Sequence, residues 1–191
     1  MKVCVLGANG FVAKNVLRDT DWIGVTRQEL DLTNQKAVED YFNTHEYDVV
    51  IHCAVIGGSR LKPDDGEVTH KNILMFENVV RVFKGKVLYF SSGAARRGNP
   101  PTDPYGLSKW VIDRRIETIE DAYTLRIWGC YGPGELPTRF SAVSDCWTTP
   151  PTRWPNCWCF SQRKRWALAP CWSNRRRCCQ TPQPPRSRHW G

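Results

Sequence analysis

The segment Val3-Cys4-Val5-Leu6-Gly7-Ala8-Asn9-Gly10-Phe11-Val12-Ala13 constrains the fold more than any other stretch of the chain. Four apolar residues run into Gly7, a second glycine follows at Gly10, and apolar residues then recur at helical spacing through Phe11, Val12, Val16 and Leu17. This reads as strand, tight turn, helix. Gly7 permits the sharp turn, while Gly10 has no Cβ to hold an anion away from the first N–H groups of the helix, where the dipole favours negative charge. Ala13, in the third small position, lets helix and strand pack closely.

The same alternation continues along the chain. A short strand is expected over 22–26, a brief extended piece over 29–33, and then a helix capped by Thr33 or Asn34 with Val38, Tyr41 and Phe42 on its inner face. Residues 48–54 are almost continuously apolar, as in a strand covered on both faces. A helix over 70–83 buries Ile73, Leu74, Phe76, Val79, Val80 and Phe83; a strand over 86–90 ends in Ser91-Ser92-Gly93; a helix follows from Tyr105 to about Asp121, and a strand over 123–128. Strands and helices in strict alternation, joined by short connections, define an α/β fold. The expected architecture is a Rossmann-type doubly wound parallel sheet.

A glycine loop in this position, after the first strand of an alternating pattern, is expected to bind the diphosphate of a dinucleotide, with Gly7, Asn9, Gly10, Phe11 and Val12 as its contacts. At the end of the second strand an NAD-selective site would place an acidic residue; this chain has Thr26-Arg27. A guanidinium pairs with a 2′-phosphate, and with no carboxylate expected at that position NADP is favoured, with NAD as the alternative. Tyr105 and Lys109, four residues apart, share one helix face, where an ammonium stabilises a phenolate and lowers the phenol pKa towards neutrality. Such a tyrosine can pass a proton to or from a sugar hydroxyl, and a serine at the adjoining strand end can polarise a carbonyl. Ser92 is the first choice for that serine and Ser91 the second.

Three features in this order, Gly7-x-x-Gly10-x-x-Ala13, Ser91-Ser92-Gly93 and Tyr105-x-x-x-Lys109, resemble the extended short-chain dehydrogenase/reductase family. Asp31-Leu32, His52-Cys53-Ala54 and Arg126 through Tyr131-Gly132-Pro133-Gly134 place the resemblance in its branch of NAD(P)-dependent sugar-nucleotide epimerases, dehydratases and reductases. It covers residues 1–143. The resemblance implies a nucleotide-sugar substrate and hydride transfer by a Ser92, Tyr105 and Lys109 site. It also implies that Lys109 bonds the nicotinamide ribose, that Asp31 and Leu32 flank the adenine, that Cys53 and Ala54 line the coenzyme site, and that Pro133 lies near the nicotinamide amide. Asn72 matches a recurrent family asparagine. Ala94-Ala95-Arg96-Arg97-Gly98 departs from the family's aromatic-glycine corner, and Gly129 stands where asparagine is frequent.

Composition divides the chain after Val143. The net charge of +8 falls entirely on residues 144–191, which hold nine of the 27 basic and one of the 19 acidic residues. That stretch also carries six of the nine cysteines and six of the nine tryptophans, with Leu168 as its lone aliphatic branched residue, so it has no periodicity from which to build a core. The expected organisation is a dinucleotide-binding domain over 1–143 and a disordered Arg/Cys/Trp/Pro-rich tail over 144–191. Abrupt loss of aliphatic residues is what a shifted reading frame produces, and the tail is read as an out-of-frame replacement for a substrate-binding domain, leaving the domain truncated. Its cysteines lack zinc-ligand spacing, so no metal is expected. Its arginines would hold polyanions, nucleic acid included, without specificity.

No secretory leader or membrane span is expected, and Cys4, Cys53 and Cys130 read as buried thiols, which points to a cytoplasmic protein. Family members often pair through helices of this region, which implies a homodimer. A second reading, from a different class, is a non-catalytic dinucleotide-binding module with a polyanion-binding tail.

Overall fold

The computed structural model describes residues 1–59 and 62–130, all within one compact unit, Met1–Gly134. Tyr131–Gly134 and residues 144–191 lie outside the described residues, so the expectations for Pro133 and for the tail do too. Five strands form one parallel sheet: β1 (Val3–Leu6), β2 (Ile23–Val25), β3 (Val49–His52), β4 (Lys86–Ser92) and β5 (Ala122–Ile127), in the order β2-β1-β3-β4-β5. The four helices are α1 (Phe11–Leu17), α2 (Gln35–Thr44), α3 (Gly66–Val82) and α4 (Pro104–Ile116). The doubly wound reading holds.

Side-chain alternation along each strand assigns the two faces. Val3, Val5 and Ile51 pack with Ala13, Val16 and Leu17 of α1, whereas Cys4, Leu6 and Val50 pack with Val38 of α2 and Met75 and Val79 of α3. Val87, Tyr89 and Ala122 continue the second face against Phe76 of α3 and Ile112 and Ile116 of α4. Helices therefore leave the sheet in opposite directions from β1 and from β3. The crevice between the carboxyl ends of those two strands is the topological switch point, where open α/β sheets bind ligands.

Several boundaries differ from the sequence reading for identifiable reasons. Residues 29–33 form turns rather than an extended piece: Leu30 N–H bonds to the Thr26 carbonyl at 3.0 Å and Asn34 N–H to the Asp31 carbonyl at 3.0 Å. The turns send Leu30 and Leu32 into the core under α3, where Asn78 Nδ2 donates to the Leu32 carbonyl at 2.8 Å. Of the two candidate caps for α2 it is Asn34 whose side chain accepts the Ala37 N–H. Helix α3 begins a turn before His70, because Asp65 caps it by accepting the Val68 N–H. Asp103 caps α4 and Pro104 opens it, so the helix starts just ahead of Tyr105.

Candidate functional site

Gly7 adopts φ +80°, and a Cβ there would stand 2.7 Å from the backbone of Ala54. Only glycine permits both the left-handed turn and this approach. The contact brings the loop after β1 against the residues that follow β3, so Gly7, Gly10, Cys53 and Ala54 meet at the switch point. Gly10 N–H closes the loop onto the Gly7 carbonyl at 2.9 Å, and Gly10 itself caps α1 without a side chain. Ala13 is fully buried, as its small size requires. Asn9 lies at the loop's exposed rim, within 3.5 Å of the Gln28 side chain. Cys53 is a free thiol whose pKa burial raises to about 12, which keeps it protonated and unreactive.

The strand β2 end differs from expectation in its charge. Arg27 is exposed, as a ligand-binding guanidinium would be, but carboxylates stand beside it. Asp31 Oδ2 lies 3.6 Å from its Nη2, and the Glu29 carboxylate accepts the Thr26 N–H at 2.7 Å and the Thr26 hydroxyl at 2.8 Å. The turns over 29–33 fold these acids back onto the strand end. Asp31 is held below the usual carboxylate range by its bonds from the Thr33 hydroxyl and N–H, with Arg27 a smaller contributor. Leu32 is spent on the core, at 4% exposure.

The loop after β3 connects this crevice to α4. Asn72 of α3 clamps Ile56 in both directions, its Oδ1 accepting the Ile56 N–H at 2.8 Å and its Nδ2 donating to the Ile56 carbonyl at 2.9 Å. The same Nδ2 lies 3.2 Å from Ser108 Oγ, which bonds to the Tyr105 carbonyl. Further along, Gly58 (φ +72°) lies against the Tyr105 ring, 3.0 Å from where its Cβ would be, and both Asp64 carboxylate oxygens accept its N–H. Tyr105 thus stands at the carboxyl edge of the sheet, the edge that also carries Gly7 and Ala54.

Lys109 is 3% exposed and donates from Nζ to the Phe90 carbonyl at 2.8 Å. Its ammonium lies 4.3 Å from the centre of the Tyr89 ring and 5.7 Å from that of Tyr105. Burial lowers its pKa to about 7, against the opposing pull of Asp113 and then of Cys53. His52, fully buried at the end of β3, is lowered to about 4 by burial first and by Lys109 second, against a smaller opposing pull from the main chain of Met75, and among the described residues neither ring nitrogen makes a hydrogen bond of good geometry.

The two candidate serines end β4 and differ by strand parity. Ser91 shares the α4 face with Tyr89 and is buried, its Oγ without a hydrogen-bond partner among the described residues. Ser92 is half-buried, and its Oγ accepts the Ala94 N–H at 3.2 Å, capping a 3-10 turn over Gly93–Arg96 that the sequence reading did not anticipate. Accepting that bond leaves the Ser92 hydroxyl proton available for donation. Arg97 is engaged with Asp103 at 3.7 Å. Among the described residues no cluster of acids, histidines and cysteines could hold a metal, and no helix is long and apolar enough to cross a membrane.

A parallel doubly wound sheet with a glycine loop at its switch point and a Tyr/Lys helix beside it defines the dinucleotide-binding class of α/β domains. Residues 3–145 match the family model for the NAD dependent epimerase/dehydratase family, and the chain belongs to that family. It is 30% identical over 129 residues to the UDP-glucose 4-epimerase of Bos taurus, which covers 58% of this chain and 37% of that protein. Among solved structures it is similar to a GDP-D-glycero-L-gluco-heptose synthase from Campylobacter jejuni, in the presence of NADPH, with TM-score 0.62, 22% identity, and coverage of 74% of this chain and 52% of that one. A dTDP-4-dehydrorhamnose reductase from Bacillus anthracis in complex with NADP gives TM-score 0.59, 22% identity, and coverage of 69% and 56%. The chain spans about a third of the curated relatives' length and about half of these solved chains.

Proposed function

We propose that this chain binds NADP(H) across the Gly7–Val12 loop and acts as an oxidoreductase on a nucleotide-sugar, with Tyr105, Lys109 and Ser92 as its catalytic residues. The observation that carries the reading is the placement of the Lys109 ammonium beside the Tyr105 ring, on the same sheet edge as the Gly7–Ala54 contact. Gly7 sets the loop after β1 tight against Ala54 at the switch point, and Gly10 at the start of α1 carries no Cβ to hold a diphosphate away from the helix N–H groups, so the residues present fit a dinucleotide. When bound, the nicotinamide supplies or accepts the hydride. Tyr105 gives the proton to the developing sugar oxygen, or takes it in the reverse direction. Lys109, charged, favours the phenolate left behind, and Ser92 donates a hydrogen bond to the carbonyl oxygen. Arg27 holds the 2′-phosphate; its pairing with Asp31 costs little to exchange because an exposed ion pair is worth about 0–1 kcal/mol.

Coenzyme titration followed by nicotinamide fluorescence tests the reading. Arg27→Ala weakens NADPH far more than NADH; equal losses for the two coenzymes would remove the 2′-phosphate contact. The alternative is a dinucleotide-binding module without turnover. Turnover of a panel of 4-keto nucleotide-sugars separates the two, because binding without turnover selects the module.

A further inference from the structure

We propose that Asp113, which touches none of the reacting groups, is the positioning residue for Lys109, pinning α4 to β5 one helical turn away and keeping the lysine cationic. This rests on the role given to Lys109 above. Among the described residues Lys109 is the one buried lysine or arginine and Asp113 the one buried carboxylate. They are four residues apart on α4 and so share a face.

The sheet below them has the matching spacing. Tyr89 of β4 pairs in register with Thr124 of β5. Lys109 sits over Tyr89 at 4.3 Å, and Asp113 Oδ1 accepts the Thr124 hydroxyl at 2.9 Å. Asp113 Oδ2 accepts from Arg126 Nη2 at 2.5 Å, on the next α4-facing position of β5. Both carboxylate oxygens are therefore bound to β5, which fixes the height and rotation of α4 at Lys109.

Other groups around Lys109 supply no comparable negative charge. His52 comes from β3 and Cys53 from the residue after it, Tyr89 and the Phe90 carbonyl from β4, and Tyr105 from α4; Asp64 and Asp103 are engaged with the N–H groups of Gly58 and Gly106. Removing the Asp113 charge would leave Lys109 and Arg126 as two partly or fully buried cations with no anion between them, and Lys109 would relieve this by losing its proton.

The test is the midpoint of Lys109 titration, read by heteronuclear NMR on the full chain carrying labelled lysine and assigned with Lys109→Met. Asp113→Asn lowers the midpoint by about one pH unit or more. Thr124→Val, which removes one tie without changing charge, leaves it in place, and Asp113→Glu restores it. Arg126→Met moves it upward, because the carboxylate is no longer shared with a second cation; this arm decides the matter if Asp113→Asn does not fold. A midpoint unchanged in both Asp113→Asn and Arg126→Met, or moved in the same direction by both, would overturn the proposal. The readout needs neither coenzyme nor turnover, so a failure of the functional reading shows separately, as absent NADPH binding with the Lys109 shifts intact.

Discussion

Lys109 Nζ lies 5.7 Å from the centre of the Tyr105 ring, one turn along α4, while donating a hydrogen bond to the Phe90 carbonyl. The lysine is thereby anchored by main chain rather than by the tyrosine, so its charge stays in place whether the phenol is ionised or not. This division of labour leads to separate expectations for the two side chains.

Tyr105→Phe removes the proton donor without disturbing the ring that packs on Gly58. Reduction of a 4-keto nucleotide-sugar, followed by NADPH consumption, falls by about 100-fold to 10,000-fold, with coenzyme affinity little changed. Lys109→Met loses turnover to a similar degree but folds at least as stably, because a buried ammonium whose desolvation lowers its pKa is replaced by an apolar chain of similar reach, while Asp113 keeps its partner Arg126. Retained turnover in either variant would remove that residue from the catalytic set.

The reductive rate depends on pH through Lys109. Its pKa of about 7 leaves it charged below that value, so the rate holds on the acid side and declines as pH rises through the neutral range. A rate profile of the wild-type chain against Asp113→Asn checks this, the variant's decline coming at lower pH.

His52 makes the fold acid-sensitive. Its folded pKa of about 4 lies below the ordinary value of 6.5, so the unfolded chain binds more protons between those limits and stability falls as pH drops from 6.5 towards 4. The loss attributable to this residue is at most about 3 kcal/mol. His52→Leu removes a buried imidazole that is costly to protonate, and denaturant unfolding at pH 5 shows the variant gaining on wild type relative to pH 7. An identical stability difference at the two pH values would contradict the buried neutral imidazole.

Gly58→Ala strains the loop that backs the tyrosine. At φ +72° an L-residue costs about 1–2 kcal/mol, and the new Cβ meets the Tyr105 ring at 3.0 Å. Lower thermal stability accompanied by a larger loss of turnover than of NADPH affinity is expected. A neutral substitution would mean that the loop yields and that Tyr105 is not held by it.

Much of this was legible in the residues. Gly7, Ala13 and the Tyr105/Lys109 spacing are local requirements, and the strand and helix alternation follows from apolar periodicity. What escaped depends on where the chain turns back. The acids beside Arg27 are brought there by turns over 29–33, which the apolar Leu30 and Leu32 disguise as a strand. The orientation of Ser91 and Ser92 depends on strand parity carried to the end of β4. Asp113 reads as an ordinary helix-surface acid until β5 supplies Thr124 and Arg126 beneath it, and Asn72 shows its double clamp on Ile56 only once the loop after β3 is folded. The Asp113 and Asn72 bonds span 11 or more residues and have no signature in adjacent positions.

Titration of the full chain with NADPH, read by the change in nicotinamide fluorescence, tests the central reading most directly. Saturable binding that Gly7→Val abolishes, in a variant still folded by circular dichroism or in wild type against Arg27→Ala where it is not, is the expected result. A folded wild-type chain that leaves the fluorescence of NADPH unchanged would contradict it.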